Sequence, residues 1–235
     1  MDSQTRHALK QDKFVAATTE SVSWVGDHRK TVIRWTLIAL IVLVVLITGA
    51  VLYNQSSTAA QTALGAALDV YTAPLAQAGA PKENGVYNSA AERSKAANQL
   101  FVQVAGKYGW LPEGAKAHYF AGLTYQEMGQ TGSAETELKA AAGSWDGEQA
   151  SLAKFALAGF YHQTGRDSQA LDLYNALIAK PTASVPVYTS QLALADLYVA
   201  TGKTDQAKQL WAKIKDADKT GPAGSAATAK LAEKK

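Results

Sequence analysis

The chain has 235 residues, a formal net charge of +3 and no cysteine. So small a charge does not argue for a nucleic-acid partner, and the missing thiols exclude disulfides, thiolate zinc sites and cysteine nucleophiles. Apolar residues make up 47% but aromatics only 9%; alanine supplies much of the remainder, and small residues in such excess suit close helix–helix contact rather than a thick β core.

In chain order, residues 1–34 form the first segment. Within it "DKFVAATTESVSWV" places Phe14, Val22 and Val25 on one helical face with Trp24 beside it. It reads either as a short amphipathic helix on a membrane surface or partner, or as an irregular leader. Next comes "WTLIALIVLVVLITGAVLY", residues 35–53, nineteen positions without a charge. A helix of that length is about 28 Å long, close to the hydrocarbon thickness of a bilayer. Trp35 and Tyr53 stand at its ends, where amphipathic rings prefer the interface. Arg29, Lys30 and Arg34 precede it, and the first basic residue after it is Lys82. The positive-inside rule therefore puts 1–34 in the cytoplasm and 54–235 outside it. The small residues of "SSTAAQTA" suggest a cleaved signal peptide, but leader and apolar core are both too long for one. The segment is expected to be an anchor. It contains Gly49 but no Gly-x-x-x-Gly, so a dimer through the membrane is not indicated.

An alanine-rich helix is expected from about Ser57 to Ala76, then a loop, "QAGAPKENGVYNS", then a helix in "SKAANQLFVQVAGKYGWLP". Beyond these a pattern repeats. Gly129, Gly165 and Gly202 lie 36 and 37 residues apart. Four residues before each stands tyrosine (Tyr125, Tyr161, Tyr198), and seven before stands a small residue (Gly122, Ala158, Ala195). Five after comes alanine (Ala134, Ala170, Ala207), and nine after a large residue (Leu138, Tyr174, Trp211). Tyrosine and the small residue share one face of a helix that ends at the glycine, where a left-handed conformation is needed. The alanine lets a second helix approach the first. Each unit is a helical hairpin, and Pro181 separates the second from the third. Ala97, with Phe101 four residues on, stands 37 residues before Ala134, which makes the upstream helix pair a degenerate fourth unit. At the far end, 219–235 begins as a Gly/Pro linker and is read as ending in a polar tail or capping helix, which a stacked array needs at its open end.

This pattern resembles the tetratricopeptide repeat. The match covers 115–144, 151–181 and 188–216, so the expected fold class is all-α: one N-terminal transmembrane helix, then an array of three clear repeats plus one degenerate one over 54–218. At the position of that repeat's early tryptophan the chain has His118, Lys154 and Gln191.

Catalytic signatures are missing. Gly202-Lys203-Thr204 ends like a phosphate-binding loop, but Leu197 stands where that loop needs glycine. The histidines (His7, His28, His118, His162) have no metal-ligand spacing, and "GPAGS" at 221–225 lacks the strand of a nucleophile elbow. No catalytic residue, metal, cofactor or nucleotide is expected, and the chain does not read as an enzyme. What remains is a binding surface on the first helices of the repeats. Its candidate residues are Tyr119, Leu123, Gln126 and Glu127 in the first unit. The second adds Phe155, Gly159, His162 and Gln163, and the third Leu192, Asp196 and Val199. Aromatic, amide and acidic groups suit a peptide backbone with mixed side chains; no Lys/Arg cluster is there to clamp a terminal carboxylate.

The order of parts, with "DKFVAATTESVSWVGDHRKTVIRW" leading into the span and the repeats following, resembles the ancillary SecYEG translocon subunit family of bacterial envelopes. That resemblance implies an inner-membrane protein with a periplasmic repeat domain. It implies a non-enzymatic partner of the export channel, contacting translocon subunits, exported chains or periplasmic chaperones. The alternative is a scaffold that assembles another envelope complex, of the cell wall or outer membrane.

Overall fold

In the computed structural model, residues 28–76 and 85–233 are described. The expected leader helix, with Phe14, Val22, Trp24 and Val25, lies outside these residues, as does most of the loop between the two helices of the upstream unit. Among the described residues the regular structure is nine α-helices: α1 (Arg29–Tyr71), α2 (Ala90–Tyr108), α3 (Pro112–Glu127), α4 (Thr131–Ala142), α5 (Gly147–Gln163), α6 (Asp167–Ala179), α7 (Val187–Ala200), α8 (Thr204–Ala217) and α9 (Pro222–Ala232). A single backbone bridge, Leu75 to Tyr87, closes the connection after α1. The chain divides into two compact units, Met1–Gln55 and Ser56–Lys235.

α1 differs from the expected pair of helices. The apolar segment and the alanine-rich helix run as one 43-residue element. The composition changes near Asn54, but "NQSSTAAQTALGAALDVY" contains no proline and only an isolated glycine, so nothing interrupts the backbone ladder. The helix stops at Tyr71, three residues before Pro74, whose ring cannot continue it. In the first unit the apolar side chains from Leu37 to Tyr53 are all exposed.

The repeat unit owes its turns to backbone chemistry. Gly129, Gly165 and Gly202 have φ of 72°, 73° and 75°, and an added Cβ at any of them would meet nothing. The φ angle, and not crowding, therefore requires glycine there. In each turn the amide of the residue after the glycine reaches back to the repeat tyrosine's carbonyl: Gln130 to Tyr125 at 2.9 Å, Arg166 to Tyr161 at 2.7 Å, Lys203 to Tyr198 at 2.7 Å. This is the six-to-one bond of a Schellman cap, which explains why tyrosine and glycine keep their spacing. The other helix starts use Ser89, which accepts from Glu92 N, and Asp146, which accepts from Glu148 N and Gln149 N. Prolines open α3 and α9 at the first turn, where a missing N–H costs nothing.

Packing follows the repeat positions. Ala134, Ala170 and Ala207 are fully buried, and so are Ala158 and Ala195. At Gly122 a Cβ would lie 2.6 Å from Leu138 Cγ, so α3 and α4 touch at a point only glycine permits. One core cluster joins α4 to α7 through Leu138, Leu157, Phe160 and Tyr174. A second holds the end of α1 against α2 and α3 around Phe101, whose ring stacks on Phe120 at 5.2 Å. A third packs α9 onto α7 and α8 around Trp211 and Ile214.

Candidate functional site

The first helices α3 and α5 stand side by side, and two expected surface residues bridge them: Gln126 Nε2 donates to Gln163 Oε1 at 2.5 Å. Gln163 is exposed and Gln126 half-buried. Leu123 is half-buried one turn below. The other first-unit candidates are more committed to the fold. Tyr119 is half-buried, edge-on to Phe120 at 5.3 Å, and burial pushes its hydroxyl pKa up. Glu127 accepts from Tyr71 Oη at 2.8 Å and from the buried Ser94 Oγ. Burial first, and the bond to Glu127 second, push the Tyr71 phenol up to about 12. That carboxylate thus ties α3 to α1 and α2.

In the second unit Phe155 is half-buried and edge-on to Tyr174 at 5.6 Å, packed against the main core. His162 Nδ1 lies 2.6 Å from Asp167 Oδ1 across the hairpin turn. In the third unit Leu192 packs on the C-terminal cluster. Asp196 is exposed, with Lys230 Nζ at 3.9 Å. Asp196 and Val199 line a cavity of about 110 Å³ together with Lys208, Trp211 and Lys230. The Trp211 indole N–H is buried there without an acceptor.

Two features were not expected from the sequence. Lys208 on α8 and Lys230 on α9 bring cations to the third unit's surface; Lys230 arrives because α9 folds back onto α7 and α8, and more than thirty positions from Asp196 it gave no local signal. Glu135 forms the other. Its carboxylate takes Lys139 at 2.7 Å, Arg166 at 2.8 Å and the Tyr161 hydroxyl at 3.3 Å. The Lys139 and Arg166 hydrogen bonds hold its pKa below the usual range. Arg166 also lies 4.4 Å over the Tyr161 ring. A carboxylate following the turn glycine by six residues, with a basic residue after the next turn glycine, was the readable trace. Glu148 plays a similar part for the α6–α7 connection: it accepts from Ser184 N at 2.6 Å and Ala183 N at 3.2 Å, and these amides lower its pKa.

Among the described residues no group of three or more histidine and carboxylate side chains is placed to hold a metal. The surface offers paired amides, a carboxylate, two ammonium groups and half-buried aromatic edges, which is chemistry for holding a polypeptide.

A protein-class assignment follows from the architecture. Solved tetratricopeptide-like repeats of a kinesin-light-chain-type protein from Podosopora anserina superpose with a TM-score of 0.51 at 21% identity, covering 59% of this chain and 76% of that chain. A point variant of the same repeats superposes equally, at 20% identity. The chain has a tetratricopeptide-like repeat fold, and among the described residues one helix, α1 near the N-terminus, is long and apolar enough to cross a membrane. No protein-family profile and no curated protein matches the sequence.

Proposed function

We propose that the chain is a membrane-tethered protein-binding module of the bacterial envelope, an accessory of the protein-export translocon. In this reading residues 35–53 span the inner membrane, 1–34 face the cytoplasm and the repeat array faces the periplasm. It engages translocated chains or the chaperones that receive them, without catalysis. The observation that carries the reading is the junction of a helical-repeat array with an uncharged segment whose apolar side chains are all exposed. Such a surface is stable in lipid and a liability in water. The resemblance in layout to the ancillary translocon subunits supports the export role, and the positive flank supports the orientation.

Tethering also suits the modest surface of the repeats. Amide and half-buried aromatic groups bind extended polypeptide weakly, but a membrane anchor beside the channel raises local concentration toward the mM range. The test is in-cell photocrosslinking from Trp24 and from Gln163, read by mass spectrometry. Translocon subunits captured from Trp24, and varied exported chains or chaperones from Gln163, support the reading. One stoichiometric envelope protein from both positions replaces it with a dedicated scaffold.

A further inference from the structure

Within the repeat unit, the large apolar side chains left exposed among the described residues are Leu75, Trp110 and Trp145. The two tryptophans are 57% and 73% exposed, and both sit between hairpins: Trp110 in the α2–α3 connection, Trp145 in the α4–α5 connection. Because successive helices alternate in direction, these connections share one end of the array. The glycine turns occupy the other end, and residues 128–130, 164–166 and 201–203 contain no aromatic.

The tryptophan end is also where the chain enters the repeat unit. Ser57 Oγ and Gln61 Nε2 bond to Glu113 Oε1 at 3.5 and 3.1 Å. That fixes the beginning of the unit beside the first turn of α3, three residues from Trp110. The uncharged segment ends at Tyr53, four residues before Ser57. Lysines collect at the same end: Lys107 in the last turn of α2 and Lys180 capping α6, with Lys139 in the last turn of α4 paired to Glu135. Several acids there are engaged: Glu113 as above, Asp146 on the amides opening α5, and Glu148 on those of 183 and 184.

Exposed indoles beside ammonium groups match the interfacial layer of a bilayer: indole partitions to the headgroup level, and lysine reaches phosphate with its stem along apolar surface. Two tryptophans alone bind a membrane weakly. A covalent anchor entering at the same end makes that weak term effective. We propose that the Trp110–Trp145 end of the repeat unit docks on the anionic phospholipid surface from which the anchor emerges. Docking holds the glycine-turn end away from the membrane. The proposal rests on the anchoring reading above.

The cysteine-free chain allows a direct test in full-length protein reconstituted into phosphatidylethanolamine–phosphatidylglycerol vesicles. Spin labels are placed singly at Gly106→Cys and Gly147→Cys, which flank the tryptophans, at Gly132→Cys at the opposite end, and at Leu43→Cys. An added Cβ at each glycine meets nothing within 4 Å. Accessibility to a water-soluble nickel chelate is expected to be several-fold lower at 106 and 147 than at 132. Adding Trp110→Glu with Trp145→Glu is expected to raise it to the level at 132 with helicity unchanged. Equal accessibility at 106, 147 and 132, with the Leu43 label shielded in lipid, overturns the docking and leaves the anchor standing; that end then faces water or a protein. An accessible Leu43 label overturns the anchor and the docking together.

Discussion

Replacing Gly122 by alanine adds one methyl group at the tightest contact between α3 and α4. The new carbon would sit 2.6 Å from Leu138 Cγ, 2.9 Å from its Cδ2 and 3.2 Å from its backbone nitrogen. Carbon–carbon contacts are optimal near 3.5–4.0 Å, so the overlap with Cγ is about 1 Å. Leu138 is fully buried and has no open side to rotate into, so the helices must part or the leucine must leave its rotamer. Overpacking of this kind costs about 1–3 kcal/mol. Alanine returns about 1 kcal/mol of helix propensity, leaving a net loss of roughly 0–2 kcal/mol, centred near 1. Gly159, at mid-helix in α5, is the matched control: a Cβ there meets nothing, so Gly159→Ala keeps the propensity gain. The two changes are chemically identical and opposite in sign. In full-length protein in detergent, circular-dichroism melts are expected to drop for Gly122→Ala and rise for Gly159→Ala, at about 2–4 °C per kcal/mol. Gly122→Ala melting at or above the wild-type temperature would refute the glycine-only contact.

Gly165→Ala and Gly202→Ala place a side chain at φ of 73° and 75° and are each expected to cost about 1–2 kcal/mol, with asparagine costing less; thermal melts check this. Trp211→Phe removes an indole N–H buried without an acceptor, so lost packing and relieved desolvation oppose each other, and stability is expected to stay within about 1 kcal/mol of wild type in denaturant titration. The lowered pKa of Glu135 means its ionised form is the one the fold stabilises. That contribution is present above the unfolded carboxylate range, near pH 4–5, and is lost as pH falls through the lower folded value. The stability of Glu135→Gln is therefore expected to vary less than wild type between pH 6 and pH 3. Phe155→Ala is expected to lower stability by about 1–3 kcal/mol, because the ring packs on Tyr174. Exposed Gln163 and Asp196 are for that reason the cleaner positions for probing a binding surface.

The hairpins were legible because their rules are local. A positive φ selects glycine, the cap carbonyl belongs to the residue four places before it, and close approach of the helices selects alanine or glycine. Each requirement falls at a fixed offset and returns with each unit. Continuity of α1 was not legible in the same way. Hydropathy changes sharply near Asn54, and composition suggests a boundary that the backbone ladder does not obey. The candidate surface was half legible. Spacing placed Gln126 and Gln163 on the same side of neighbouring first helices, and they bond. Glu127 has the same spacing as a surface acid, yet Tyr71 and Ser94 arrive from helices with no repeat signature of their own. Lys230 reaches Asp196 only because α9 turns back, a tertiary event without a local motif.

The central claim is that the repeat face holds polypeptide. The most direct measurement is fluorescence anisotropy of a labelled, permanently unfolded protein, such as reduced carboxymethylated α-lactalbumin, titrated with the full chain in lipid nanodiscs. The account predicts saturable binding that weakens at least several-fold for Gln163→Arg combined with Asp196→Lys, with an unchanged melt. Binding equal in wild type and double variant, or no binding at any accessible concentration, would contradict it.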